Sequence, residues 1–383
     1  MNMKKIVTII GARPQIIKSA AISRAIQNEY ADQLEEIVVH TGQHYDENMS
    51  DVFFGEMGIP APNYNLGVGS GSHAKQTAEM LIGIEEILLT EKPNALLVYG
   101  DTNSTLAGAT AASKLNIPIV HVEAGLRSYN KSMPEEVNRI VCDHLSTLLF
   151  SPTKTGYDNL IKEGFAPKNV APFHPDNPKI YHCGDIMYDN SLYFSTIADK
   201  KATVLADHQL EKGNFFLCTI HRGNNTDNPE RLTSIFEALM EITQKHPTKE
   251  VVLPLHPRTL GCLSKNLTPE LLQKVEAESR IKIIPPVSFL NIIALEKNCE
   301  LVITDSGGLQ KEAFFFQKPC VILRPETEWV EIVENGNARI VDANKDKILS
   351  AVDYYLTHKE LDYPQFYGDG AAAEFIVGEV LGV

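Results

Sequence analysis

Leu301-Val302-Ile303-Thr304 runs into Asp305-Ser306-Gly307-Gly308-Leu309-Gln310-Lys311-Glu312, and Ala313-Phe314-Phe315-Phe316 follows at once. A short apolar run, paired glycines and a second apolar stretch predict a strand, a tight turn and a helix. With no side chains at Gly307 and Gly308, backbone amides can approach a ligand closely, and the unpaired N–H groups of a helix start favour an anion such as phosphate. Ser306 adds a hydroxyl donor, and Glu312, nearly two turns further, suits the two hydroxyls of a ribose. The same turn is also a common structural device, so the surrounding chain has to decide between the two.

Working outward, strands are predicted at about residues 215–220, 250–254, 281–284, 301–304, 320–323 and 338–341, with helices such as 229–245 and 288–297 between them. The preceding half repeats the theme, with strands near 5–10, 34–41, 95–100, 118–123 and 147–151 and helices near 16–28, 77–89, 105–114 and 134–145. This alternation means parallel βαβ units, hence an α/β fold of two doubly wound domains. The stretch 166–178 is rich in Pro, Asn and Lys and lacks a period, so the domains are set at 1–178 and 179–365. Ligands of such sheets bind beyond the carboxyl ends of the strands, and a cleft lined by both sets of strand ends is expected.

The 383 residues suffice for two cores, and 43% hydrophobic with 22% charged residues is ordinary for a globular protein. The apolar runs are too short to cross a bilayer, and the first ten residues read as a buried strand rather than a leader. With 35 basic against 49 acidic residues the net charge is −14, which argues against nucleic acid or an anionic membrane as partner. The six cysteines, Cys142, Cys183, Cys218, Cys262, Cys299 and Cys320, have no paired spacing and are expected as reduced thiols in a cytoplasmic protein.

The segments after the strands carry the chemistry. Gly11-Ala12-Arg13-Pro14-Gln15-Ile16-Ile17-Lys18 places Arg13 on a loop and Lys18 in the first turns of a helix. Tyr99-Gly100-Asp101-Thr102 offers Asp101 as a reactive carboxylate or a helix cap. His121-Val122-Glu123 puts a carboxylate at the end of a buried strand, where an unpaired charge would be costly. In Met133-Pro134-Glu135-Glu136-Val137-Asn138-Arg139, Glu135 and Arg139 share a helix face, which suits a structural ion pair as well as a catalytic one. Three carboxylates gathered in one place would push their proton affinities apart, leaving an acid beside a base. His221-Arg222 and His256-Pro257-Arg258 suit a pyrophosphate leaving group. No G-x-G-x-x-G follows the first strand and no Walker A sequence occurs, so neither a nicotinamide nor a nucleoside triphosphate is signalled. His40 and His44 are a poor metal-ligand set, and no metal is expected.

Taken in order, G-A-R-P-Q-I-I-K, H-T-G-Q-H-Y-D, Y-G-D-T-N-S-T, H-V-E-A-G-L-R-S, M-P-E-E-V-N-R, H-R-x-x-N-T-D, L-H-P-R-T and T-D-S-G-G-L-Q-K-E-A run from residue 11 to residue 313. This set resembles the UDP-N-acetylglucosamine 2-epimerases over nearly the whole chain. The resemblance implies a glycosyltransferase-B-type fold of two Rossmann-like domains, a C-terminal helix at about 366–383 packing back on the first, and a homodimer. It implies inversion at C2 of a UDP-linked 2-acetamido sugar without cofactor, through anti elimination of UDP to a 2-acetamidoglycal and re-addition. On that basis Asp101, Glu123 and Glu135 are the acid/base set, with the roles undivided. Arg13, Lys18, Arg139 and His221 contact sugar or diphosphate, and Ser306, Gly307, Gly308 and Glu312 form the UDP site. His221 is counted with the catalytic groups and His256 and Arg258 with the binding groups. A hydrolysing relative, a nucleotide-sugar binding protein and a glycosyltransferase remain as alternatives.

Several positions depart from the commonest family pattern. Ala12 and Gln15 stand in G-A-R-P-Q where G-T-R-P-E is usual, Asn224 replaces a glutamate, and Thr327-Glu328-Trp329-Val330-Glu331 stands where T-E-R-P-E is usual. The first and last, with His44-Tyr45-Asp46 and the stretch 48–54, resemble the branch acting on UDP-2,3-diacetamido-2,3-dideoxyglucuronate, which supplies the manno-configured sugar for surface polysaccharides. A neutral Gln15 would lower repulsion toward an anionic sugar if it faces the ligand, whereas Trp329 removes a positive charge.

Overall fold

The structure is a computed structural model that describes residues 3–42, 59 and 61–383. It comprises two compact units, Met1–Asn190 with Gln365–Val383, and Ser191–Pro364.

The first unit is built on strands β1 (Lys4–Ile10), β2 (Leu34–His40), β3 (Tyr64–Asn65), β4 (Ala95–Tyr99), β5 (Ile119–Val122), β6 (Leu148–Ser151) and β7 (Lys179–His182). All pair in parallel, in the order β3-β2-β1-β4-β5-β6-β7. The strands are apolar on both faces, as a sheet covered by helices on each side requires. Val7, Ile9, Val39, Leu96 and Val98 pack one face against Met80, Ile84, Ala107 and Ala111 of the helices His73–Glu91 and Asn103–Lys114. The short β3 and β7 escape the hydrophobic pattern because each pairs along one edge only. The β7–β6 pairing corrects the boundary expected at 178/179: residues 179–190 belong to the first unit, and 166–178 is a loop within it.

The last helix, Ala372–Val380, belongs to this unit too. Tyr30 Oη donates to Glu374 O at 3.4 Å, Lys4 Nζ donates to Leu381 O at 2.7 Å, and Tyr181 Oη donates to Glu379 Oε2 at 2.5 Å. At its start Asp189 Oδ2 accepts from Ala373 N at 2.7 Å, and burial pushes this carboxyl up to about 7.

The second unit carries β8 (Phe215–Thr219), β9 (Glu250–Pro254), β10 (Ile281–Ile284), β11 (Leu301–Thr304), β12 (Cys320–Ile322) and β13 (Ala338–Ile340), parallel in the order β10-β9-β8-β11-β12-β13. In each sheet the chain starts in the middle and winds both ways. The order reverses between β1 and β4 and between β8 and β11, and at such a reversal the flanking loops part to leave a crevice beyond the strand ends. At each reversal a buried polar side chain bridges the two flanking loops. Gln15 accepts from Gly11 N and Ala12 N at 2.9 and 3.1 Å and donates to Tyr99 O and Thr105 Oγ1, each at 3.0 Å. Asp305, after β11, accepts from His221 N and Arg222 N after β8, both at 3.1 Å.

All six cysteines are free. No described helix is long and apolar enough to cross a membrane.

Candidate active site

In the first unit the strand ends beside the reversal collect the expected carboxylates. Asp101 follows β4 and Glu123 follows β5, which are neighbours with Tyr99 paired to Val122. Each carboxylate has its own cation. Lys18, on the helix Arg13–Glu29, pairs with Glu123 Oε2, and Arg139 Nη2, on the helix Pro134–Leu145, lies 2.5 Å from Asp101 Oδ2. The Lys18 and Glu123 side chains keep only 14% and 12% of their surface, so removing either would strand a largely desolvated charge at a cost of about 3–5 kcal/mol. Burial pushes the Asp101 carboxyl above the ordinary aspartate range, with Glu123 adding to the effect and Arg139 and Lys18 opposing it. Thr102, not Asp101, caps the following helix, accepting from Thr105 N at 3.4 Å. That leaves the Asp101 carboxylate to Arg139.

The pairing of Glu135 with Arg139 does not form. Glu135 is exposed, and Arg139 Nη1 instead donates to Glu136 Oε2 at 2.9 Å, one residue nearer along the helix. Glu136 is buried and also accepts from Ser128 N and Tyr129 N, both at 2.9 Å. Burial opposes its ionisation, but these hydrogen bonds and Arg139 hold its carboxyl below the usual range. Asn138 Nδ2 donates to Asp101 O at 2.8 Å and completes the clamp. Glu136 and Asn138 escaped the sequence reading, although both stand in the quoted M-P-E-E-V-N-R stretch; Glu136 folds back on the Ser128–Tyr129 loop and Asn138 on the Asp101 loop, and no local pattern marks either.

Arg13 is exposed at the first position of its helix. Gln15, by contrast, is buried and spends all its hydrogen-bonding capacity across the β1/β4 reversal, so it does not face a ligand. Its neutrality therefore serves the fold, because a carboxylate could not donate to Tyr99 O. His40 is buried, with Nδ1 accepting from Gly42 N at 3.0 Å, and burial lowers the ring to about 4. His44 and the stretch 48–54 lie outside the described residues. Among the described residues no group of three or more His, Cys, Asp or Glu is placed to hold a metal ion.

In the second unit the Asp305–Glu312 turn takes the shape read from the sequence. Ser306 is the N-cap of the helix Gly307–Phe315, its Oγ accepting from Leu309 N at 3.5 Å, with the hydroxyl proton left to donate. A Cβ built on Gly307 would lie 3.6 Å from both Arg324 Nη1 and Glu328 Oε2, and one on Gly308 would meet only Ser306 Oγ, at 3.9 Å. Neither glycine is crowded: added side-chain atoms would meet nothing closer than ordinary van der Waals contact. Trp329 Nε1 donates to Gly307 O at 2.9 Å, and Lys311 Nζ stacks 4.3 Å from the Trp329 ring centroid, a cation–π contact. The positive charge that a tryptophan at 329 seemed to remove is present in the neighbourhood as the buried Lys311.

Glu312 is half-buried one turn inside this helix, and its carboxyl neighbours that of Glu296, a fully buried glutamate of the helix Phe289–Asn298. Burial first and the charge of Glu312 second push the Glu296 carboxyl well above the ordinary glutamate range. Its one sequence signal is a glutamate inside an apolar helix.

His221 is half-exposed with Nδ1 3.1 Å from Asp305 Oδ1. Burial works against the Asp305 charge, yet His221, Asn225 and the Arg222 amide hold its carboxyl below the ordinary range. His256 caps the helix Pro257–Asn266 by accepting from Arg258 N at 3.2 Å, and Arg258 pairs with Asp227 at 3.1 Å while largely exposed. The structure therefore gives His256 a local structural job and leaves the imidazole of His221 at the mouth of the β8/β11 crevice.

The sequence and the fold are both similar to those of known proteins. The sequence model of the UDP-N-acetylglucosamine 2-epimerase family matches residues 25–381. A Pseudomonas aeruginosa UDP-2,3-diacetamido-2,3-dideoxy-D-glucuronate 2-epimerase is 48% identical over 372 residues, spanning 97% of this chain and 98% of the relative. A Methanococcus maripaludis UDP-N-acetylglucosamine 2-epimerase homolog is also 48% identical, over 98% of this chain and 99% of its own. Among solved structures, the Methanocaldococcus jannaschii UDP-GlcNAc 2-epimerase in complex with UDP-GlcNAc and UDP superposes with a TM-score of 0.83 at 42% identity, covering 99% of this chain and 100% of that one. Agreement over almost the full length in sequence, and in both parallel sheets, shows that this chain belongs to the UDP-N-acetylglucosamine 2-epimerase family and has its two-domain α/β fold.

Proposed function

We propose that this protein inverts C2 of a UDP-linked 2-acetamido sugar, with UDP-2,3-diacetamido-2,3-dideoxyglucuronate as the preferred substrate. The observation that carries the reading is the pair of carboxylates, Asp101 and Glu123, at adjacent strand ends, each held against its own cation. Inversion needs a proton removed from one face of C2 and returned to the other, so two differently poised carboxyls suit it better than one. A base takes the C2 proton as the C1–O bond breaks, its electron pair leaving with UDP and a C1=C2 double bond forming. A protonated acid then delivers to the opposite face of C2 while the diphosphate oxygen re-adds to C1. Glu135, exposed at the positive end of its helix, completes the acid/base set.

Arg13, Arg139 and Lys18 supply charge near the sugar and diphosphate, and His221 a hydrogen bond to the leaving group. The Ser306-Gly307-Gly308 turn takes the phosphates and Glu312 the ribose hydroxyls. His256 and Arg258 are outer members of the same anion-binding set. No cofactor enters the scheme. The protein acts in the cytoplasm as a homodimer, supplying a manno-configured sugar for lipopolysaccharide or O-antigen. The substrate choice rests on the 48% identical diacetamido-glucuronate relative and on the branch-like motifs that contain Gln15 and Trp329, not on a sugar contact by either side chain.

Initial rates on the two UDP-sugars test the choice. The diacetamido uronate should show kcat/KM at least about tenfold higher, the roughly 1.4 kcal/mol that one charge-assisted contact supplies. Equal or faster turnover of UDP-N-acetylglucosamine would make that sugar the substrate and leave the 2-epimerase reading in place.

A further inference from the structure

We infer that His121 and Asp143 form the positioning pair for the two candidate catalytic carboxylates, an inference that rests on the acid/base reading of Asp101 and Glu123. His121 lies on β5, two residues before Glu123, and is fully buried. Its Nε2 is 2.8 Å from the carbonyl oxygen of Gly100, the residue before Asp101, and its Nδ1 is 2.7 Å from Asp143 Oδ1. The other oxygen of Asp143 accepts from Gly125 N at 3.1 Å, two residues past Glu123, and from Arg127 Nη2 at 2.7 Å. One ring and one carboxylate thus hold the chain just before Asp101 and on both sides of Glu123.

The segment needs such a hold. Glu123 has φ of 74°, left-handed backbone that a non-glycine residue adopts only when its surroundings impose it. Glu123 N and Ala124 N both donate to Phe150 O at 3.0 Å, and the Asp143 bond to Gly125 N fixes the next turn.

Both ring nitrogens of His121 lie within hydrogen-bond distance of an oxygen, so the one ring ties the Gly100 carbonyl to the Asp143 carboxylate. Arg127 steadies the Asp143 end of this link, reaching Asp143 on one side and donating to the more exposed Glu163 at 2.7 and 2.6 Å on the other. Neither His121 nor Asp143 is exposed, so neither touches substrate, and both act through the residues they tether.

Nitrogen-15 NMR of the full-length protein with labelled histidine, the His121 signals assigned by their loss in His121→Asn, should show a His121 ring N–H slow to exchange with solvent, as a buried ring tied on both sides requires. A ring N–H that exchanges as fast as those of exposed histidines would overturn the inference. In kinetics, His121→Asn keeps a donor toward Asp143 but none toward Gly100. It should lower kcat about a hundredfold, the scale of a misplacement near 1 Å, with UDP affinity by calorimetry and cooperative melting retained. A folded His121→Asn protein that binds UDP and turns over at the wild-type rate would also overturn it, and so would parallel loss of UDP affinity and kcat, which marks general damage. Asp101→Asn and Glu123→Gln run alongside separate the two levels. If those two retain full activity the acid/base reading fails, and if they are inactive while His121→Asn is fully active only the positioning role fails.

Discussion

Gly100→Ala probes the candidate site without replacing any reactive group. Gly100 has φ of 61°, and a Cβ there would lie 3.1 Å from Glu123 Oε2 and 3.4 Å from Lys18 Nζ. Two costs follow. The left-handed backbone costs an L-residue about 1–2 kcal/mol, which for a unit of this size lowers the melting temperature by about 2–8 °C. The methyl group also presses on the Lys18–Glu123 pair, which is hemmed in by burial and by the fixed backbone of Glu123, so the carboxylate shifts by a few tenths of an ångström. If a displacement near 1 Å costs about a hundredfold, this one should cost roughly three- to tenfold in kcat. Gly67→Ala is the control, since Gly67 has φ of 62° and nothing within 4 Å of the added Cβ; it carries the backbone cost alone. Thermal unfolding by circular dichroism and initial epimerisation rates on the three proteins give the answer. Both variants should lose stability and only Gly100→Ala should lose turnover. A Gly100→Ala protein as active as Gly67→Ala would refute the placement of the Lys18–Glu123 pair at the chemistry.

Gln15→Glu should destabilise the first unit by about 1–3 kcal/mol, because a carboxylate cannot donate to Tyr99 O and Thr105 Oγ1, while leaving the preference between the two sugars unchanged; an altered preference at full stability would mean the side chain faces the ligand after all. Arg139→Gln removes the foremost influence holding the Asp101 proton affinity down, so Asp101 stays protonated to higher pH and the acidic limb of the kcat/KM profile moves up in pH. An unmoved limb would remove Asp101 from the titrating machinery. Asp101→Asn and Glu123→Gln should lower turnover at least about a hundredfold with UDP affinity nearly intact, whereas Glu312→Ala should weaken UDP binding first; equal loss of UDP affinity in all three would collapse the division of roles.

The fold was legible because buried parallel strands announce themselves as short apolar runs, and all the longer strands lie where those runs occur. The edge strand β3 and the late β7 were not, being two and four residues long and half-exposed, and missing β7 moved the unit boundary by the segment that it anchors. At the site, strand-end position marked Asp101, Glu123, His221 and Ser306, because chemistry-bearing residues after buried strands stand out against an apolar background. Partners were harder to read. Helical spacing put Glu135 and Glu136 equally within reach of Arg139, and only the long-range geometry of the Asp101 loop and the Ser128 amide selects Glu136. Gln15 looked like a ligand-facing change because its role, bridging two loops about ninety residues apart in sequence, has no local signature. Asp143 and Glu296 sit inside helices as ordinary polar residues, and only burial reveals that each has one carboxyl to settle.

The most direct test of the central claim is to incubate the purified protein in deuterated water with UDP-2,3-diacetamido-2,3-dideoxyglucuronate, and separately with UDP-N-acetylglucosamine, with no nicotinamide or metal added, and to follow C2 by NMR. Elimination and re-addition predict gluco- and manno-configured sugars that approach equilibrium with deuterium at C2 and the UDP linkage intact. An epimer formed without deuterium at C2, or free UDP accumulating in place of an epimer, would contradict the account.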